Sequence, residues 1–159
     1  MKIGVIIVFH NNEKNIDTNF FVEHLNHAKN LELCFVNNAS KDKTYQVLKE
    51  VKEMCLSHVS LIDIKKFKSD ISAMRSGARF MFNRFDLNYM GYISTNLMNN
   101  KIYNINTIVK VICENQNTII NYNINEIKKK QIKRTLFQNV FSITAYLDKL
   151  KLSKHFVNV

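Results

Sequence analysis

The chain has 159 residues, 23 Lys or Arg against 13 Asp or Glu, a formal charge of +10, three cysteines and no proline. That length suffices for one domain with a substantial core. An odd number of cysteines (Cys34, Cys55 and Cys113) at unpatterned spacings excludes a disulfide framework, and no apolar stretch is long enough to span a bilayer.

Lys2 to Glu13, KIGVIIVFHNNE, opens with an apolar run that ends in an amide-rich corner. So short and β-branched a run predicts a strand buried on both faces, as in parallel sheets. Ile16, Phe20, Phe21, Leu25 and Ala28 then recur at helical spacing. LELCFVNNAS, Leu31 to Ser40, predicts a second strand ending in Asn37 and Asn38, with Thr44, Val47, Leu48, Val51 and Met54 on the apolar side of the next helix. HVSLIDI (58–64) predicts a third strand, followed by a helix through Ile71, Met74, Ala78 and Met81. NYMGYIS (88–94) predicts a fourth strand, Ile105, Val109 and Ile112 line a further helix, and NTIINYNI (117–124) reads as a fifth strand. Strands alternating with helices predict an α/β three-layer sandwich with a mostly parallel central sheet, Rossmann-like in its layering. Ligands of such sheets bind beyond the carboxyl ends of the strands. That places the crevice at His10 to Glu13, Asn37 to Asp42, Lys66 to Arg75 and Ser94 to Asn96.

The tail is more basic than the rest. From Ile124 onward there are eight Lys or Arg and two acids, with Lys128, Lys129, Lys130, Lys133 and Arg134 crowded at its start. Ile132, Leu136, Phe137, Val140, Phe141, Leu147 and Leu150 follow at spacings near three and four, which predicts a basic amphipathic C-terminal helix. Such a helix either closes one face of the sheet or docks on a protein partner or an anionic membrane surface. No nucleic-acid-binding motif accompanies the charge, so no specific nucleic acid is expected. The expected organisation is a single domain, 1–159, with a sheet core over about 1–123 and a basic helical segment over 124–159. The opening run is a strand and not a signal peptide, so a cytoplasmic location is expected, peripheral to a membrane if the tail docks there.

Candidate site residues come from the strand ends. The His10 ring either stacks on a base or caps the sheet. Asn37, Asn38 and Ser40 are either ligand contacts or an Asx-type turn into the next helix, with Ser40 as its cap. Arg75 suits a phosphate, or is a solvated helix residue. Lys66 and Lys68 read as surface lysines, and Asp42, Asp70 and Glu13 are the acids close to the crevice. His24 and His27 lie three apart without a third ligand and read as surface histidines, so no metal site is assigned to them.

Four segments together resemble family 2 glycosyltransferases. IIVFHNNE is similar to that family's opening strand and Asn-x-Glu type corner, with Val8 in place of the usual proline. VNNASKDKT resembles its second strand and the Asp-Asp/Asn-x-Ser-x-Asp-x-Thr turn: Asn38, Ser40, Asp42 and Thr44 fit, and Asn37 replaces the acid. FKSDISAMRSG is similar to Asn-x-Gly-x-x-x-Ala-x-Arg-x-Gly, keeping Ala73, Arg75 and Gly77 but not the residues at Phe67 and Ser69. GYISTNL stands where the family has an Asp-x-Asp strand end, and reads Ser94, Thr95, Asn96.

The resemblance implies a GT-A type nucleotide-diphosphosugar transferase fold. Its nucleotide-binding residues would be Phe9, His10, Asn11, Glu13, Asn37, Asn38, Ser40, Asp42 and Arg75, with a nucleotide sugar of UDP or GDP type as ligand. It also implies that Ser94 and Asn96 replace the carboxylates that hold Mn²⁺ or Mg²⁺ on the diphosphate. Hard cations prefer anionic oxygen ligands, so no cofactor is expected unless the family chemistry survives. The half of the family that follows the Asp-x-Asp strand, with the acceptor site and catalytic base, is expected here to be reduced to one weak strand and a long basic helix. The expected function is nucleotide or nucleotide-sugar binding with a degenerate metal site. A short metal-independent transferase that uses Arg75 and nearby lysines, and a non-enzymatic protein docking through its basic helix, are the alternatives.

Overall fold

The computed structural model describes residues 2–55, 58–97, 104–130 and 140–157. The strands are β1 (Ile3–Phe9), β2 (Leu31–Asn38), β3 (Val59–Ile64), β4 (Tyr89–Ser94) and β5 (Val140–Ser142). The helices are α1 (Thr18–His27), α2 (Thr44–Met54), α3 (Asp70–Arg84), α4 (Ile105–Glu114), α5 (Gln116–Lys130) and α6 (Ile143–Val157). The five strands form one sheet in the order β3-β2-β1-β4-β5, and every neighbouring pair is parallel. The expected α/β sandwich with a parallel sheet is the observed fold.

β1 lies at the centre and every one of its residues is buried. Its side chains alternate between two cores, as the period of two along a strand dictates. Ile3, Val5, Ile7 and Phe9 pack with Phe21 and Leu25 of α1, Leu48 of α2 and Ile108 of α4. Ile6 and Val8 face the opposite way, against Ala73, Met74, Ala78 and Met81 of α3. Helices thus cover both faces, which is why the central strands are apolar without a polar side.

α3 seats closely because Gly77 presents no side chain to the sheet. A Cβ there would stand 2.8 Å from Ile6 Cγ2 and 3.1 Å from Val36 Cγ2. Both neighbours are β-branched and stiff at χ1. Gly77→Ala is therefore expected to push α3 outward and cost about 2 kcal/mol, read as a lower denaturant midpoint with an unchanged slope. An unchanged midpoint would show that the helix is free to shift.

The sequence reading errs at the fifth strand. Residues 117–124 are helical, within α5, and the sheet takes its edge strand from Val140–Ser142, in a segment expected to be helical throughout. In α5 the buried side chains are Ile119, Ile120 and Asn123, a helical spacing that an apolar doublet beside a buried amide disguises as a strand. β5 is three residues long, too short for alternation to register. α6 buries Ile143, Tyr146 and Leu147, in agreement with the apolar side expected at Leu147. Of the basic cluster, Lys128 and Lys129 are exposed on α5, and Lys129 pairs with Glu126 at 3.2 Å. Lys133 and Arg134, like Ile132, Leu136 and Phe137, lie outside the described residues, as does the side chain of Lys130. No helix among the described residues is long and apolar enough to cross a membrane.

Candidate functional site

The sheet order turns at β1, whose chain neighbour β2 lies on one side and β4 on the other. Crevices form at such switch points, beyond the carboxyl ends of the strands. Here the corners after β1 and β2 are tied by reciprocal hydrogen bonds. Asn11 N–H donates to Ser40 Oγ (3.0 Å) and Lys41 N–H to Asn11 Oδ1 (2.8 Å). Glu13 N–H donates to Asp42 Oδ2 (3.2 Å), and Lys43 N–H donates to Glu13 Oε2 (2.7 Å). Asn12 N–H reaches Thr44 Oγ1 at 2.7 Å, and Asn12 Oδ1 accepts from Thr95 Oγ1 at 2.8 Å, so the end of β4 joins the same network. Asn11 and Ala39 turn these corners with φ of 53° and 50°. Asparagine visits that left-handed region readily, whereas alanine does so at a cost of roughly 1–2 kcal/mol.

Most candidate residues are therefore occupied in building the corners. The α2 start is served by Asp42, whose Oδ1 accepts from Thr44 N–H at 3.0 Å, and not by Ser40. Burial pushes the Asp42 carboxyl up, but the hydrogen bonds from Thr44 and Glu13 outweigh it and hold it below the usual carboxylate range. Asn38 is fully buried, and its amide clamps the Lys68 backbone: Nδ2 donates to the carbonyl at 2.8 Å and Oδ1 accepts from the N–H at 3.1 Å. Phe9 is fully buried, with its ring edge-on to Phe35 at 5.5 Å, so its side chain belongs to the core and not to the crevice.

Beyond the ends of β2 and β3 lies a cavity of about 760 Å³. Asn37 and Asp63 lie at its base, Tyr45 and Gln46 of α2 form one wall, and Phe67 and His10 border it. Asn37 and Asp63 are register partners across the β2–β3 ladder, and Asn37 Nδ2 donates to Asp63 Oδ1 at 2.8 Å. Asp63 also pairs with Lys65. Burial alone would raise the Asp63 carboxyl; the hydrogen bonds from Lys65 and Asn37 and the Lys65 charge lower it further than that. His10 Nδ1–H donates to the Asn38 carbonyl at 2.7 Å, which leaves Nε2 to accept from Asn11 Nδ2 at 3.2 Å. The His10 ring meets the Phe67 ring at 4.9 Å and 66°, and Phe67 is 56% exposed. Sequence reasoning passed over Asp63, Tyr45 and Gln46, and placed Phe67 in the crevice segment 66–75 without giving its ring a part in the site. The alternation of HVSLIDI made Asp63 look like an ordinary strand position, although its place one residue from the strand end was the signal.

At the end of β4, Ser94 is fully buried and its Oγ accepts from Asn96 N–H at 3.3 Å. Asn96 Nδ2 donates to Asp70 Oδ1 at 3.1 Å, which ties the Asp70 carboxylate to this strand end. A buried hydroxyl, an amide and one carboxylate do not fit a hard divalent cation on a diphosphate. Among the described residues no group of three His, Cys, Asp or Glu is placed to hold a metal. Arg75 is exposed on α3 and is not one of the residues lining the cavity. His24 and His27 each donate Nδ1–H to a backbone carbonyl one turn back, Phe20 at 2.9 Å and Glu23 at 2.6 Å. The three cysteines are free thiols, and burial raises Cys34 and Cys113 to about 12.

A five-stranded parallel sheet with helices on both faces and a polar crevice beyond its strand ends defines a doubly wound α/β fold. The sequence profile of glycosyl transferase family 2 matches residues 4–152, and the chain belongs to that family. Among solved structures, TarS 1–349 of S. aureus matches with a TM-score of 0.50 and 12% identity, covering 77% of this chain and 33% of that one. TarS 1–349 in complex with UDP matches with a TM-score of 0.47 and 15% identity over 60% of this chain and 28% of that one. The chain thus spans a third or less of the length of these TarS chains. No curated protein matches the sequence.

Proposed function

We propose that this domain binds a nucleotide or nucleotide sugar at the strand-end cavity and does so without a divalent cation. The observation that supports it most is the cavity itself, of about 760 Å³, with the hydrogen-bonded amide and carboxylate of Asn37 and Asp63 at its base and the Phe67 and His10 rings at its border. Small-ligand sites are typically clefts of about 300–1,000 Å³ in which a few polar groups converge. The phosphates would leave the cavity toward the corners at Asn11–Glu13 and Ser40–Asp42 and toward α3, which carries Arg75. Independence from metal follows from Ser94 and Asn96, which bring no negative charge to the place where a cation would sit.

Calorimetric titration with UDP, GDP and their sugar conjugates, with and without Mn²⁺, tests this reading. Saturable binding whose Kd changes by less than about threefold with Mn²⁺ is expected, and a gain of about tenfold or more, equivalent to about 1.4 kcal/mol, contradicts it. A second reading, a short transferase that works without metal, is favoured by Lys41, Lys65 and Lys66 at the cavity. Positive side chains can stabilise a departing diphosphate. Sugar transfer that persists in EDTA would select it over binding alone.

A further inference from the structure

We propose that Asp63, with Asn37 as its positioning residue, reads the base by accepting the ring N–H of a uracil or guanine. This inference rests on the nucleotide-binding reading above and goes further by assigning the specificity to a carboxylate on β3.

The argument starts from hydrogen-bond inventory. A carboxylate offers only acceptors, so Asn37 must turn its NH₂ toward Asp63. That orientation leaves Asn37 Oδ1 without a partner, on a side chain only 3% exposed at the cavity base. Buried acceptors are almost always paired, and an orphan in a cavity-lining residue points to a donor that arrives with the ligand.

Asp63 has acceptor capacity to spare. One oxygen takes the Asn37 N–H and the other takes Lys65, while a carboxylate has about four lone-pair sites. The Lys65 side chain is 86% exposed and gives way readily to water or to a ligand. The low-lying Asp63 carboxyl is ionised at neutral pH and acts as an acceptor only. Acceptors from two adjacent strands, with one N–H of Asn37 still available, complement a base edge that places a ring N–H beside a carbonyl. Uracil N3–H and guanine N1–H have that edge. Adenine and cytosine present a ring nitrogen lone pair at the same place, which a carboxylate repels. Phe67, exposed and edge-on to His10, supplies a flat apolar surface for the ring.

The test titrates the full chain with UDP, GDP, ADP and CDP, and with UDP methylated at N3 and GDP methylated at N1. UDP or GDP is expected to bind at least about tenfold more tightly than ADP and CDP, and its N-methylated form about tenfold more weakly. Asp63→Asn is expected to abolish this preference, and the exchange Asn37→Asp with Asp63→Asn to restore it. A merely structural role would lower the affinity for all nucleotides together. Equal binding of all four bases, or wild-type preference in Asp63→Asn, overturns the inference while leaving nucleotide binding intact. Absence of binding by every nucleotide overturns both. The methylated probes act on the unaltered protein, so the result stands even if a variant does not fold.

Discussion

Phe35→Ala is expected to lower the stability of the domain by about 4 kcal/mol, which lowers the melting temperature by roughly 10 °C for a chain of this size. Phe35 is fully buried in β2, with Phe9 edge-on at 5.5 Å and Phe21 at 6.2 Å. Truncation removes a large apolar surface and leaves a cavity between β1, β2 and α1, and the neighbouring strands cannot close it without breaking their register. The effect should extend to the site, because Phe35 is two residues from Asn37 and its ring supports the floor on which the strand ends rest. Thermal and urea unfolding followed by circular dichroism measures the loss. A change below about 1.5 kcal/mol would mean that the core rearranges around the gap.

Asn38→Asp is expected to cost about 3 kcal/mol at neutral pH, despite being nearly isosteric. The Asn38 amide both donates to and accepts from the Lys68 backbone, fully buried. A carboxylate keeps the acceptor but sets an anion against the Lys68 carbonyl, and a buried charge without a partner is strongly unfavourable. The sign of the pH dependence follows. Burial raises the introduced carboxyl above its unfolded value of about 3.9. The folded state therefore binds the proton more tightly, and the deficit relative to the native protein is full above the raised folded pKa and shrinks as pH falls through it toward the unfolded value. Paired urea titrations of both proteins at neutral and mildly acidic pH check this; a deficit that does not change with pH would show that the carboxylate finds water or a lysine. The Lys68 clamp holds the loop from Lys65 to Lys68, which carries Phe67, so the proposed nucleotide binding is expected to weaken as well.

The fold was legible where burial imposes a simple rule. β1 is apolar throughout and β2 nearly so up to Val36, apart from Glu32, because helices cover both faces, and the amide-rich corners mark where those strands leave the core. α3 was equally clear from Met74, Ala78 and Met81. The tail was not, since α5 and β5 are decided by packing against α6 and β4, and neither contact leaves a period in so short a segment. For the site, the strand-end rule located the crevice but could not show that its corner residues bond to one another, Ser40 and Asp42 included, although both line the cavity. Asn11, Glu13, Ser40 and Asp42 have the composition of a ligand site and spend their hydrogen bonds on one another. Asp63 escaped notice because its place beside Asn37 depends on the register of β2 and β3. Membership of glycosyl transferase family 2 accords with the resemblance carried by the four strand ends.

The pairing of amides with displaced acids bears on how the site differs from the pattern it resembles. At the end of β2 an amide stands where the resemblance implies an acid, and a carboxylate of the next strand is bonded to it. At the end of β4 the amide of Asn96 is bonded to a carboxylate from the first turn of α3. The first arrangement retains a carboxylate at the cavity base and is compatible with recognition of a base. The second offers a single carboxylate, already engaged, and is ill suited to a divalent cation.

The most direct measurement is titration of the ¹⁵N-labelled protein with UDP and with GDP in the absence of metal, followed by amide chemical shifts. Saturable shifts concentrated at His10, Ser40, Asp63, Lys65 and Phe67, around the cavity, are expected. The absence of any shift at saturating nucleotide, or shifts confined to α5 and α6, would contradict nucleotide binding at the strand ends and direct attention to the exposed lysines of α5.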